Sequence, residues 1–185
     1  MREDFTQVDF GWWGVFRPCE KEGKETIGTQ MDMWEFGSSK AAAWDCPATI
    51  QMSPKVLREH PRADDLLAVM RRWEDVRAKR WLTEEQRTAL KDPKREFHLF
   101  ETVPGKYELC EIEMLPTPDG AKHLRGFVFE RGGKRVVACW HTAGEGTLEW
   151  SLGPKGTLSN LKYVTTDLSR DDVRVAWSSA RLEDK

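Results

Sequence analysis

Nine tryptophans in a chain of 185 residues are its largest store of chemically useful surface. Indole faces fill hydrophobic cores, and they also stack on sugar rings, so the number alone leaves both uses open. Trp12 and Trp13 stand side by side between glycines in VDFGWWGVFRP, residues 8–18, a stretch that also carries Asp9 and Arg17. The other reactive residue types are dispersed. Cys19, Cys46, Cys110 and Cys139 have long, irregular spacings with no Cys-x-x-Cys, which argues against a zinc site. Cys46, Cys110 and Cys139 lie in apolar runs, where a thiol serves as a small hydrophobe. Cys19, beside Pro18 in a polar loop, is the one expected to be exposed, and four free thiols are favoured over two disulfides. His60, His98 and His123 are scattered, and His141, after Trp140, reads as a polar residue at a strand end. No Gly-rich phosphate loop or Gly-x-Ser-x-Gly turn occurs, and no cofactor is implied.

The elements that must position these residues change character near Asp92-Pro93. Before it the order reads strand, helix, strand, helix. Val8 to Trp13 is apolar on both faces, as a strand of a parallel sheet must be. Thr29 and Asp32 form a Thr-x-x-Asp signal that predicts a helix to about Ala43 or Trp44, with Met31, Trp34, Ala41 and Ala42 near one stripe. Cys46 to Gln51 is a second short strand. After a small helical turn, Leu66, Met70, Trp73, Val76 and Arg80 recur at helical steps in a long helix over 62–81. Thr83-Glu84-Glu85-Gln86 is a capping box for a last helix that Asp92-Pro93 ends. Glu35, inside the first helix, and Asp45, just before the second strand, read as surface or capping residues.

After Pro93 the pattern predicts about seven antiparallel strands, near 95–102, 106–114, 124–131, 134–142, 146–152, 161–166 and 172–178. Turn sequences join them, and Gly132-Gly133 suits a type I′ hairpin loop. In KYELCEIEM the apolar phase flips between Leu109 and Cys110, which predicts a bulge there. Seven short strands at this spacing make a β-sandwich, with an alternating core of its own from Phe97, Tyr107, Leu109, Phe127, Phe129, Trp140, Trp150 and Trp177. The expected fold is therefore α+β: two parallel βα units over 1–92, then an antiparallel β-sandwich over 93–185.

With 29 basic and 31 acidic side chains, the net charge of −2 provides no field to attract nucleic acid. No run approaches the roughly 20 apolar residues of a membrane span, and no signal-peptide pattern opens the chain.

Two βα units need neighbours to cover their faces and edges. VDFGWWGVF, the helix MDMWEFGSSKAAAWDCP and the strand ATIQ resemble the closing units of a glycoside-hydrolase-type (β/α)8 barrel. HPRADDLLAVMRRWEDVR, LKDPKREFHLF and YELCEIE are similar to the passage from such a barrel into a C-terminal β-domain, and RGFVFERGGKRVVACWHTAGEGTLEWSL resembles the hairpin core of that domain.

The resemblance implies that strand ends near Asp9, Trp12, Trp13, Arg17 and Gln51 open onto a carbohydrate site. A tryptophan there would stack on a pyranose, and a carboxylate would hold hydroxyls or act as acid, base or nucleophile. Each also has a plainer use: Asp9 could cap a loop, one tryptophan could be core, and Gln51 could begin the next turn. The catalytic carboxylate pair of such hydrolases matches no position here. The chain is thus expected to be the C-terminal part of a carbohydrate-active hydrolase, inactive by itself. Its partners would be a carbohydrate ligand and the remaining barrel, or another copy through the N-terminal strands. The alternative is a free-standing carbohydrate-binding or interaction module without catalysis.

Overall fold

The computed structural model describes residues 11–117, 123–143, 148–149 and 180–181. The protein is α+β, with helices packed against a small parallel sheet and a four-stranded antiparallel sheet. Strand β1 (Trp12–Gly14) and strand β2 (Thr49–Gln51) pair in parallel, with Trp12 opposite Thr49, Trp13 opposite Ile50 and Gly14 opposite Gln51. The parallel pairing expected from the sequence is present, in strands shorter than expected. Asp9 and the first part of the expected strand lie outside the described residues.

Between them runs α1 (Met31–Ala43). Its start departs from the expected Thr29–Asp32 capping box. Gln30 occupies the N-cap without a side-chain cap bond. Thr29 Oγ1 accepts from the Phe16 N–H at 2.9 Å and donates to the Gly14 carbonyl at 3.2 Å. Asp32 accepts from the Arg125 guanidinium at 3.0 Å and 3.2 Å. Tertiary partners for both side chains have displaced the local motif. The later helices follow the local signals more closely. Helix α2 (Pro54–Glu59) is capped by Ser53 Oγ, which accepts from Val56 N–H. Helix α3 (Ala63–Ala78) buries Leu66, Val69, Trp73 and Val76, while Arg80 lies beyond its end and is exposed. Helix α4 (Glu84–Lys91) carries both halves of the Thr83–Gln86 capping box and ends before Pro93.

Strands β3 (Glu96–Val103), β4 (Lys106–Met114), β5 (Leu124–Arg131) and β6 (Lys134–His141) form one curled antiparallel meander in chain order. Gly132 and Gly133 both take positive φ, +56° and +70°, as the two-residue hairpin requires. The bulge expected at Leu109–Cys110 is absent. These residues stay in register with Leu99 and His98, and the register shifts instead at Glu101/Val103, beside the turn. The apolar phase flips because β4 buries opposite faces in its two halves, Tyr107 and Leu109 partly on one side and Cys110 and Ile112 fully on the other. Two short strands, β7 (Leu148–Glu149) and β8 (Ala180–Arg181), pair in parallel where antiparallel order was expected. The strands expected near 161–166 and 172–178, and with them Trp150 and Trp177, fall outside the described residues.

Helix α1 holds the layers together. Ten of its 13 residues are buried, including Asp32, Glu35, Ser38, Ser39 and Lys40, so polar groups as well as apolar ones must find partners inside. The Glu35 side chain is 2% exposed, against the expectation of a surface or capping role. Its Oε1 accepts from Trp73 Nε1 of α3 at 2.8 Å and from the Leu99 N–H of β3 at 2.9 Å. Its Oε2 lies 3.2 Å from His98 Nδ1 and 3.7 Å from Arg72 Nη2. Burial raises the Glu35 pKa, but His98, Arg72 and the Leu99 N–H together outweigh it and hold the carboxyl below its ordinary value. The helix reaches further still: Gln30 Oε1 accepts from Trp140 Nε1 at 3.0 Å, and Lys40 Nζ donates to the carbonyls of Asp92 and Arg95 at 2.7 Å and 2.8 Å. Asp45, the other carboxylate read as a surface group, is indeed exposed and pairs with Arg77 at 3.4 Å.

The hydrophobic core is accordingly continuous across Asp92-Pro93. Trp34, Leu66, Trp73 and Leu90 belong to the same buried cluster as Phe97, Leu99, Phe127 and Trp140, so the apolar interior of the β half is not confined to that half.

Two predictions follow from this interior. Glu35→Gln removes a buried charge from beside Arg72 and is expected to cost roughly 3–5 kcal/mol in denaturant unfolding. Because the folded pKa of Glu35 is depressed, its contribution to stability is complete above its ordinary value of 4.5 and is lost as pH falls through the folded value. Stability of the natural protein should therefore decline below about pH 4.5, with a shallower decline in the glutamine variant. A protein beginning at Pro93 should melt at a lower temperature, without a sharp transition, and bind a hydrophobic dye. An undiminished cooperative melt would show that the β half needs none of α1.

Candidate functional site

A parallel pair sends both chains out at the same end, so the connections after β1 and β2 meet above their C-terminal ends. Successive side chains of a strand alternate in direction, and Trp12 and Trp13 therefore face opposite ways. Trp13 turns inward. Its ring lies edge-on to Trp34 at 6.1 Å, and a Cβ on Gly37 of α1 would come within 2.0 Å of it. Ile50, its partner in register, also packs against the core. Trp13 is thus a packing residue, the plainer of the two uses expected for it.

Trp12 is 72% exposed, on the side that Gly14 also faces. A Cβ on Gly14 would meet the Phe16 ring at 2.8 Å, so the ring occupies the space that the glycine leaves. Phe16 is itself 68% exposed. Gln51 and Thr49, the register partners of Gly14 and Trp12, are exposed polar residues. Two aromatic rings therefore lie in solvent on one face of the sheet, bordered by an amide and a hydroxyl.

Arg17 follows immediately and pairs with Glu59, so an ion pair joins the connection after β1 to the C-terminal end of α2. His60 follows Glu59 directly. It is buried, its Nδ1 accepts from the Arg62 N–H at 3.1 Å, and burial lowers its pKa against the opposing pull of the Thr29 and Phe16 backbone. The Phe16 backbone is held by Thr29, whose hydroxyl accepts from the Phe16 N–H and whose own N–H donates to the Phe16 carbonyl at 2.8 Å.

Of the residues singled out in the sequence, Trp12 and Gln51 lie on paired strands, Trp13 packs inward and Arg17 pairs with Glu59; Phe16, over Gly14, and Glu59 were not singled out. Phe16 carried a faint signal, an aromatic two residues after a strand glycine. Glu59 carried none, because its contact with Arg17 spans 42 residues. Among the described residues no group of three or more His, Cys, Asp and Glu side chains converges as a metal site would. His141 ends β6, with its ring 5.1 Å from that of His123. Burial lowers its pKa, and His123 and Arg62 add to the effect. All four cysteines are free thiols, with Cys110 buried and Cys19 half-buried. No helix among the described residues is long and apolar enough to cross a membrane.

The chemical capacity of this face is that of a binding surface. Planar apolar rings can cover the C–H face of a ligand while Gln51, Arg17 and Glu59 supply hydrogen-bond donors and acceptors at its border. Family models, curated proteins and solved structures provide no match to this chain.

The opposed directions of the two tryptophans can be tested through the glycines that accommodate the aromatic rings. Gly37→Ala should cost roughly 1–3 kcal/mol in chemical denaturation, because a new methyl group must displace the packed Trp13 ring. Gly14→Ala should cost less than about 1 kcal/mol, since the exposed Phe16 ring can swing away. Equal costs for the two would contradict the assignment of Trp13 to the interior.

Proposed function

We propose that this chain recognises carbohydrate through the Trp12–Phe16 face and is the C-terminal part of a glycoside-hydrolase-like protein. In this reading β1, α1, β2 and the helices after it are closing units of a (β/α)8 barrel, and β3–β6 open its C-terminal β-sandwich. The joint exposure of Trp12, the first residue of β1, and Phe16, two residues past the C-terminal end of that strand, is the observation that carries it. Large aromatics cost free energy when left in water, and in barrels ligands bind beyond the C-terminal ends of the strands, where Phe16 lies. A pyranose has the matching chemistry, with a C–H face for the rings and hydroxyls for Gln51, Arg17 and Glu59.

Hydrolysis would need two carboxylates flanking the scissile bond. Glu59 is the carboxylate paired with Arg17, the residue after Phe16. The chain by itself is therefore expected to bind sugar without cleaving it, and the second carboxylate belongs to the parent barrel. The shared core of helices and sheet favours a second reading, a free-standing carbohydrate-binding module in which the same face is the whole working part.

Binding of neutral oligosaccharides, followed by titration calorimetry, tests both readings. Trp12→Ala and Phe16→Ala should each weaken binding about tenfold, equivalent to about 1.4 kcal/mol, with unchanged circular dichroism. Oligosaccharide binding that survives both substitutions would place the sugar elsewhere, and its absence from the unaltered protein would defeat the proposal.

A further inference from the structure

The carbohydrate reading leaves open which sugars the face accepts, and the Arg17–Glu59 pair bears on that choice. An exposed arginine beside aromatic rings would ordinarily favour anionic sugars, because its planar fork matches a carboxylate. Here one arm of the fork is already engaged with a carboxylate. Arg17 Nη1 donates to Glu59 Oε2, and Glu59 Oε1 lies 3.9 Å from Lys55 Nζ. The carboxylate thus stands between two cations, Arg17 on the connection after β1 and Lys55 one turn back on α2 itself.

Glu59 is also held in place. It is the last residue of α2, a helix started by Pro54 and capped by Ser53, and it is followed directly by the buried His60. Swinging the carboxylate away would leave Arg17 and Lys55 without this partner, so an incoming uronate must either displace it or approach a fixed like charge. A neutral sugar meets no such opposition. A guanidinium has five N–H donors and a carboxylate about four lone-pair sites, so the pair retains donors and acceptors for adjacent hydroxyls while its charges cancel.

We propose that Glu59 is a specificity-determining residue: by neutralising Arg17 it sets the Trp12–Phe16 face for neutral pyranosides with adjacent hydroxyls and excludes their uronic-acid counterparts. The inference rests on the carbohydrate reading of the same face. It differs from that reading in what would defeat it.

The test uses the full chain with trisaccharides of glucose, mannose and galactose, and with the corresponding tri-uronates, titrated calorimetrically at pH 7. The unaltered protein should bind at least one neutral trisaccharide ten times more tightly than its uronate. Glu59→Gln should reduce that ratio at least fivefold, chiefly by tighter uronate binding to the released Arg17. In the double variant E59Q/R17Q the gain should vanish. A preference of the unaltered protein for uronates, or a ratio unchanged by Glu59→Gln, overturns the role of Glu59 while leaving carbohydrate recognition intact. Failure of every trisaccharide to bind overturns the carbohydrate reading and this inference together.

Discussion

A carboxylate removed from water must be given partners, and in this protein one such group sets the arrangement of the layers. Glu35 takes an indole N–H from α3, a backbone N–H from β3 and the proximity of a guanidinium and an imidazole, all from a single position on α1. The Leu99 N–H it accepts belongs to an edge strand, whose unpaired groups would otherwise invite another strand. Glu35 therefore both fixes the helix and closes the edge. His98 beside it is enclosed by Phe100, Phe127 and Phe129, with ring centroids 6.2, 5.1 and 5.7 Å away, so little room exists for water to replace a missing partner. Breaking this group of contacts exposes more than one bond, because α1 also carries Gln30, Asp32 and Lys40 to their partners.

This dependence explains which features were legible in the sequence. The Thr83–Gln86 capping box and the Gly132-Gly133 turn are complete within four residues, and both appear where the sequence places them. The parallel pairing of β1 and β2 followed from strand character and the intervening helix. The role of Glu35 could not be read in the same way, since its partners lie 38 and 64 residues away. Thr29 misled for the same reason: its sequence fits a cap, but Phe16 and Gly14 compete successfully for its hydroxyl. The apparent bulge in β4 came from reading alternation as if one face were wet.

The candidate site divides along the same line. Side-by-side tryptophans on a strand must face opposite ways, so one ring in the core and one in solvent was implicit in the spacing. Which was which depended on Gly37, whose missing side chain makes room for Trp13. The Arg17–Glu59 pair required the fold, because its members are 42 residues apart, one after β1 and one at the end of α2.

The order of synthesis gives the long reach of α1 a further meaning. The Gln30 side chain waits for Trp140, 110 residues downstream. At about 5–20 residues per second, that interval is roughly 5–20 s during which the helix has emerged without its partner. Glu35 must likewise await Trp73 and then β3, so a polar helix flanked by tryptophans spends its first seconds outside the tunnel unsatisfied. The meander forms by local hairpins once its strands emerge, and only then can it receive the helix. Helix α1 can pack on α3 as soon as that helix emerges, whereas the bonds of Glu35 and Gln30 to the sheet wait for the meander.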